Sequence, residues 1–139
     1  MAKVTSTVIG VLYVVFGGAG FALGDAADLY HNVLHLLTGV VGVYVGFIGS
    51  PAAARAFCLG FGAGYLAFGA LGFVLGDPSL DYVLDVGLFK VSTPDHVHHL
   101  ILGTLLLAGG TLARSGFRRK SAGLDRHGVS PAESGRRRR

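Results

Sequence analysis

Four long stretches of the chain contain no Asp, Glu, Lys or Arg: residues 8–23, 34–48, 56–75 and 100–113. Each is apolar on every side when laid on a helix. Helices of a soluble bundle carry a polar stripe at 3.6-residue spacing, and strands of a membrane β-barrel alternate apolar and polar positions. Neither pattern is present. With its uncharged flanks, each run approaches the roughly 17–25 residues that take a helix across a bilayer. The pattern predicts an all-α protein, an integral membrane four-helix bundle over residues 1–113.

The apolar runs are not independent of one another. "FGGAGFALGD" at 16–25 returns as "FGALGFVLGD" at 68–77, and "HLLTG" at 35–39 returns as "HLILG" at 99–103. Gly10 pairs with Gly62 and Tyr13 with Tyr65 at an offset of 52, whereas His35 pairs with His99 at an offset of 64. The chain thus reads as two tandem helical-hairpin repeats, about 8–49 and 56–113, the second enlarged by 12 residues within 78–90. Two crossings per copy make the copies parallel about an axis along the membrane normal. The repeat also argues that the first run is a retained helix. Lys3 before an apolar stretch resembles a signal peptide, but the equivalent run lies mid-chain.

Turn chemistry places the helix ends. Ser50-Pro51 and Thr93-Pro94 predict caps at Ser50 and Thr93 with proline in the first turn, and Asp28 is the matching cap for helix 2. Within 78–90, Leu80, Val83, Leu84 and Leu88 fall on one helical face, which predicts a short amphipathic segment on the membrane surface. Gly20 with Gly24, Gly42 with Gly46, and Gly72 with Gly76 have the four-residue spacing that lets helix backbones approach closely in lipid.

Charge then orients the bundle. Lys3, Arg55, Arg114 and the basic residues from Arg118 to Arg139 fall on one side of a four-crossing arrangement, and only Lys90 on the other. The bias of basic residues toward the cytoplasm predicts a protein of the inner (plasma) membrane with both termini inside. Residues 114–139 turn to Ser, Gly and Arg and predict a disordered cytoplasmic tail. Its main expected effect is to enforce topology. Contact with anionic lipid is the alternative, and nucleic acid is disfavoured because no aromatic residues interleave with the arginines. Other partners expected are the bilayer itself and a second copy or another membrane protein at the glycine faces. The single cysteine, Cys58, reads as a small packing residue.

The remaining chemistry is imidazole. His31 and His35 share a face of helix 2, while His96, His98 and His99 open helix 4 beside Asp95. Four readings compete: boundary side chains that bond to caps and loop carbonyls, a transition-metal site, a haem held axially by His35 and His99, and a pH sensor. The first is favoured, because ionisable groups shallow in the membrane carry no default function. No nucleophile–base pair, phosphate loop or paired carboxylates appear, so no enzyme and no bound cofactor are expected. A transporter is disfavoured because Thr104 alone offers polarity at mid-membrane depth in the last span.

At "HNVLHLLTGVVGV" and "FKVSTPDHVHHLILG" the sequence resembles a small bacterial membrane-protein family, known only as a domain of unknown function and found widely in actinobacteria. The family pattern sets an acidic or amide residue three positions before a histidine, in helix 2 and again in helix 4. Asn32 before His35 matches it, and His96 before His99 stands where asparagine is commoner. The resemblance covers roughly 1–113 and implies four helices in a membrane, with no activity attached. The combined expectation is a multi-pass membrane protein with a structural or interaction role, and with metal or haem binding as the alternative.

Overall fold

The computed structural model describes residues 1–23, 29–87 and 89–124, with side chains as far as residue 113. The described residues form four α-helices: α1 (Ala2–Ala22), α2 (Leu29–Phe47), α3 (Pro51–Leu75) and α4 (Thr93–Leu124). All four are long and apolar enough to cross a membrane, α4 over Thr93–Ala113. Helix α1 packs most extensively on α2, and α3 on α4, while α2 and α3 barely touch. Large side chains such as Val15, Leu37, Val41, Val74 and Ile101 remain exposed. A surface this apolar is foreign to a soluble monomer and suits lipid.

Glycine sets how closely the helices approach. A Cβ at Gly10 would lie 2.6 Å from the Val43 nitrogen and 2.8 Å from the Gly39 oxygen, and one at Gly39 would lie 2.7 Å from the Gly10 oxygen. Gly62 and Gly103 stand in the same relation between α3 and α4, with each virtual Cβ 2.9–3.0 Å from the other's oxygen. None of these four is in the glycine motifs picked out by spacing. Of those motifs, Gly42 meets the Gly10 backbone and the Phe57 ring, and Gly46 meets Thr7 and Lys3. Gly20 lies under the Asn32 side chain, Gly72 under the His96 ring and Gly76 against the Tyr82 carbonyl. Gly24 and the cap residue Asp28 lie outside the described residues.

The centre of the bundle is small: Ala2, Ile9, Tyr13, Ala54, Phe57, Cys58, Leu102 and Leu106. Several polar side chains bond the backbone of a neighbouring helix. The Ser6 hydroxyl donates to the Gly42 carbonyl at 2.6 Å, and Arg55 Nε donates to the Gly110 carbonyl at 3.1 Å. Lys3 Nζ donates to the Phe47 carbonyl at the end of α2, where a helix favours a cation.

The short α2–α3 turn ends at Ser50, whose side chain accepts from the Ala53 N–H at 3.1 Å, with Pro51 opening α3. At α4 the cap is one residue earlier than Thr93. Asp95 accepts the Ser92 N–H at 3.0 Å, as the third residue of a capping box does, while the Thr93 hydroxyl donates to the Asp81 carbonyl. The acidic side chain three residues on, missed in reading Thr93-Pro94, decides the boundary.

The segment 78–90 is not an amphipathic helix. It forms a 3₁₀ turn at Pro78–Leu80 and then a two-stranded hairpin, β1 (Leu84–Asp85) with β2 (Lys90–Val91), pairing Leu84 with Val91. Asp81 and Tyr82 take φ of 58° and 54°, a left-handed conformation that ends any helix. Gly87, at φ 84°, allows the turn. Asp77 bonds the Ser79 hydroxyl and N–H, and Asp85 bonds the Gly87 N–H and pairs with Lys90 at 3.4 Å. Those partners hold both carboxyls below the usual carboxylate range.

Helix α4 also outruns its apolar stretch. Residues 115–124, assigned by composition to a disordered tail, are helical. Extending a helix that already exists costs far less than nucleating one. The rest of the tail, 125–139, lies outside the described residues.

Candidate functional site

Two helix beginnings face each other at the end of the bundle that carries the hairpin. On α2, His31 and His35 are one turn apart on the face turned inward, and their ring centroids are 4.2 Å apart. On α4, the Ser92–Asp95 cap fixes where the helix starts and so which of its histidines turns toward α2. His99 and His98 both do: the His99 ring lies 6.0 Å from His31 and 5.9 Å from His35, and the His98 ring 5.7 Å from His35. One nitrogen from each of His31, His35 and His99 lies within 4.8 Å of the others. The three rings are 8%, 8% and 2% exposed, and each has a nitrogen without a hydrogen-bond partner: His31 Nε2, His35 Nε2 and His99 Nδ1.

The other residues of the histidine cluster separate from this trio. His98 flanks it, 5.7 Å from His35 and edge-on to Phe16 at 4.7 Å. His96 points the other way, into α3: its ring covers Gly72, and its Nε2 bonds the Tyr82 carbonyl at 2.8 Å. Asp95 is engaged by its cap. Six residues proposed from sequence as one site thus resolve into a trio, a neighbour, a loop anchor and a cap.

Aromatic rings wall the trio. Tyr65 stacks on His99 at 5.1 Å and on Tyr13 at 5.1 Å, and Tyr13 meets His35 edge-on at 4.9 Å. Phe89, from the hairpin turn, lies parallel to His31 at 5.6 Å. The Tyr65 hydroxyl donates to the Thr38 hydroxyl at 3.1 Å, joining α3 to α2 below the cluster. Site reasoning from sequence missed Tyr13, Tyr65, Thr38 and Phe89, although the repeat had already paired the two tyrosines.

Two cavities meet at these histidines. A polar one of about 440 Å³ is lined by Asn32, Asp95 and His98, and an apolar cleft of about 740 Å³ runs between α2 and α3. His31 and His35 border both.

No curated protein and no solved structure matches the chain. A family described as a domain of unknown function (DUF4383) matches residues 23–112, which include α2, α3, the hairpin, the trio and the walls of the cleft, and leave the whole of α1 outside. The chain that carries this buried trio belongs to the DUF4383 family.

Proposed function

We propose that this is a multi-pass protein of the cell membrane, made of two copied hairpins with both ends in the cytoplasm, whose His31, His35 and His99 bind one transition-metal ion near the outer surface. A single observation carries the metal reading. Three buried imidazoles from two helices bring their nitrogens within 4.8 Å, and each keeps a nitrogen unpartnered. Buried polar groups are almost always paired, and each one left unpaired costs about 1–3 kcal/mol. A structural role, preferred from sequence, supplies no partner for these nitrogens. An ion does.

Neutral imidazole suits zinc, copper and nickel. Metal–nitrogen bonds of about 2.0–2.1 Å in a tetrahedral site need the longest edge of the triangle to contract by about 1.5 Å, within the reach of side-chain rotation. Three protein ligands leave a fourth position open, as in catalytic rather than structural sites. Tyr13, Tyr65, His31 and His98 surround the pair His35 and His99, which favours a small ion over a haem macrocycle.

Copied hairpins account for the shared contacts. Gly10 against Gly39 corresponds to Gly62 against Gly103, and Asn32 over Gly20 corresponds to His96 over Gly72. The same equivalence sets His35 against His99. The side rich in arginine is assigned to the cytoplasm by the positive-inside rule. A fluorescent-protein fusion after Arg139 is expected to glow and a periplasmic phosphatase at the same place to stay inactive; the reverse pattern overturns the orientation.

The metal reading is tested on the full chain purified in detergent. After chelation, equilibrium dialysis against zinc, copper or nickel followed by elemental analysis is expected to return one ion per chain for at least one metal. Failure of all three metals to bind above the level of a His31→Ala/His35→Ala/His99→Ala variant defeats it. A Soret band in the untreated preparation would replace the ion with haem.

A further inference from the structure

The cleft between α2 and α3 has a feature that helix packing does not explain. Gly60 and Gly64 both line it, and a Cβ at either would meet nothing within 4 Å. The tightly packed glycines of this bundle, by contrast, sit under backbone or rings. At the matching places of the first hairpin stand Val8 and Leu12. Glycine at 60 and 64 therefore keeps open a space that two ordinary side chains would fill.

What occupies the space follows from its walls. No charged side chain among the described residues lines the cleft, so a phosphate or ammonium headgroup would go uncompensated by them within an apolar setting. The wall is aromatic near the histidines, where Tyr65, Phe68 and Phe89 border it. Its far end is purely aliphatic and aromatic, around Val41, Val45 and Phe57. Among the described residues that border it, His31, His35 and His99 each keep an unpaired nitrogen, closed off from the open space on a side chain more than nine-tenths buried. A volume near 740 Å³ is in the range that holds a small molecule. Because α2 and α3 scarcely touch, the cleft opens sideways to the surroundings of the bundle, which in a membrane are lipid.

We infer that this cleft binds a neutral, membrane-dissolved ring with oxygen substituents and an apolar tail, of the quinone and hydroquinone class. The ring lies among Tyr65, Phe68 and Phe89, with an oxygen bonded to an imidazole nitrogen that a turn of the imidazole brings to the cleft, and the tail along Gly60 and Gly64. An imidazole suits both redox forms, since it can donate to a carbonyl or accept from a phenol. The inference shares the histidines of the proposed metal site but rests on the cleft. Where an ion occupies those nitrogens, its open position would take the oxygen in their place.

The test uses the full-length protein in lipid nanodiscs, both chelator-stripped and metal-loaded, with menaquinone-4 and ubiquinone-2 as probes. The chain has no tryptophan and five tyrosines, of which Tyr65 lines the cleft, so a Tyr65→Phe variant isolates the part of the tyrosine fluorescence that comes from the wall. Saturable quenching by one of the probes is expected in at least one form. Gly64→Leu, placed in open space, is expected to weaken it at least 10-fold while leaving helicity and metal stoichiometry unchanged. Gly18→Leu, also in open space but on α1 away from the cleft, is expected to change nothing. Quenching that rises without saturation, as for partition into lipid, overturns the inference. So does saturable binding that Gly64→Leu leaves intact, or a dimer that Gly64→Leu dissociates in a protein that binds neither probe, since the cleft would then seat a second copy's helix. Loss of metal binding in a protein that still binds a probe would defeat the ion alone.

Discussion

Replacing Gly39 by valine is expected to break the α1–α2 hairpin. The new Cβ would lie 2.6 Å from the Val14 nitrogen and 2.7 Å from the Gly10 oxygen. Both are backbone atoms of the facing helix, which cannot swing aside as a side chain tip can. The helices must separate, and in lipid there is little apolar driving force to hold separated helices together. Overpacking of this kind costs about 1–3 kcal/mol, and more where backbone is displaced. We expect the upper end for Gly39→Val and for its counterpart Gly103→Val, which would meet the Leu66 nitrogen at 2.8 Å and the Gly62 oxygen at 2.9 Å. Gly18→Ala is the control. Its Cβ meets nothing within 4 Å, and alanine is a better helix former than glycine by about 0.8–1.0 kcal/mol, so stability should hold or rise slightly. Unfolding in mixed detergent, followed by circular dichroism, separates the cases. A Gly39→Val protein that unfolds with wild-type behaviour would show that the close glycine contacts do not hold the hairpin.

The second large effect is expected at the histidines and is a ranking rather than one value. Changes to groups that merely support a metal ligand cost 10–100-fold in affinity, so removing a ligand should cost about 100-fold or more. His31→Ala, His35→Ala and His99→Ala are each expected to weaken metal binding by that much. His98→Ala should have a smaller effect, because its ring only flanks His35. His96→Ala should leave metal affinity unchanged yet lower stability, since its ring fills the space over Gly72 and its Nε2 holds the Tyr82 carbonyl. Competition with a coloured metal indicator gives the affinities, and thermal unfolding gives the stabilities. If His96→Ala weakened binding as much as His99→Ala, the division of the five histidines would be wrong.

That division shows where sequence reasoning succeeded and where it stopped. The i, i+4 spacing brings His31 and His35 onto one face by helix geometry alone, and matching "HLLTG" to "HLILG" aligns His35 with His99. Which of His96, His98 and His99 turns inward depends on the rotation of α4 about its axis. The Ser92–Asp95 cap and the seating of His96 over Gly72 decide that rotation. Phe89 entered the site for a different reason. It lies in the segment 78–90, whose apolar spacing imitates a helix, while the left-handed backbone at Asp81 and Tyr82 turns the segment into a hairpin that reaches over His31.

By itself the sequence determined how many segments can enter a membrane, that each is helical, and that histidine gathers at one end of two of them. These follow from transfer free energy and hydrogen bonding along each segment, which are sums over local residues. Only the tertiary structure decided which glycines touch, which three histidines converge, and that a cleft stays open at Gly60 and Gly64. The reason lies in the solvent. In water an apolar stripe marks the buried face of a helix, but a lipid-facing surface is as apolar as a packed one, so the pattern along the chain carries no record of which side meets its neighbour.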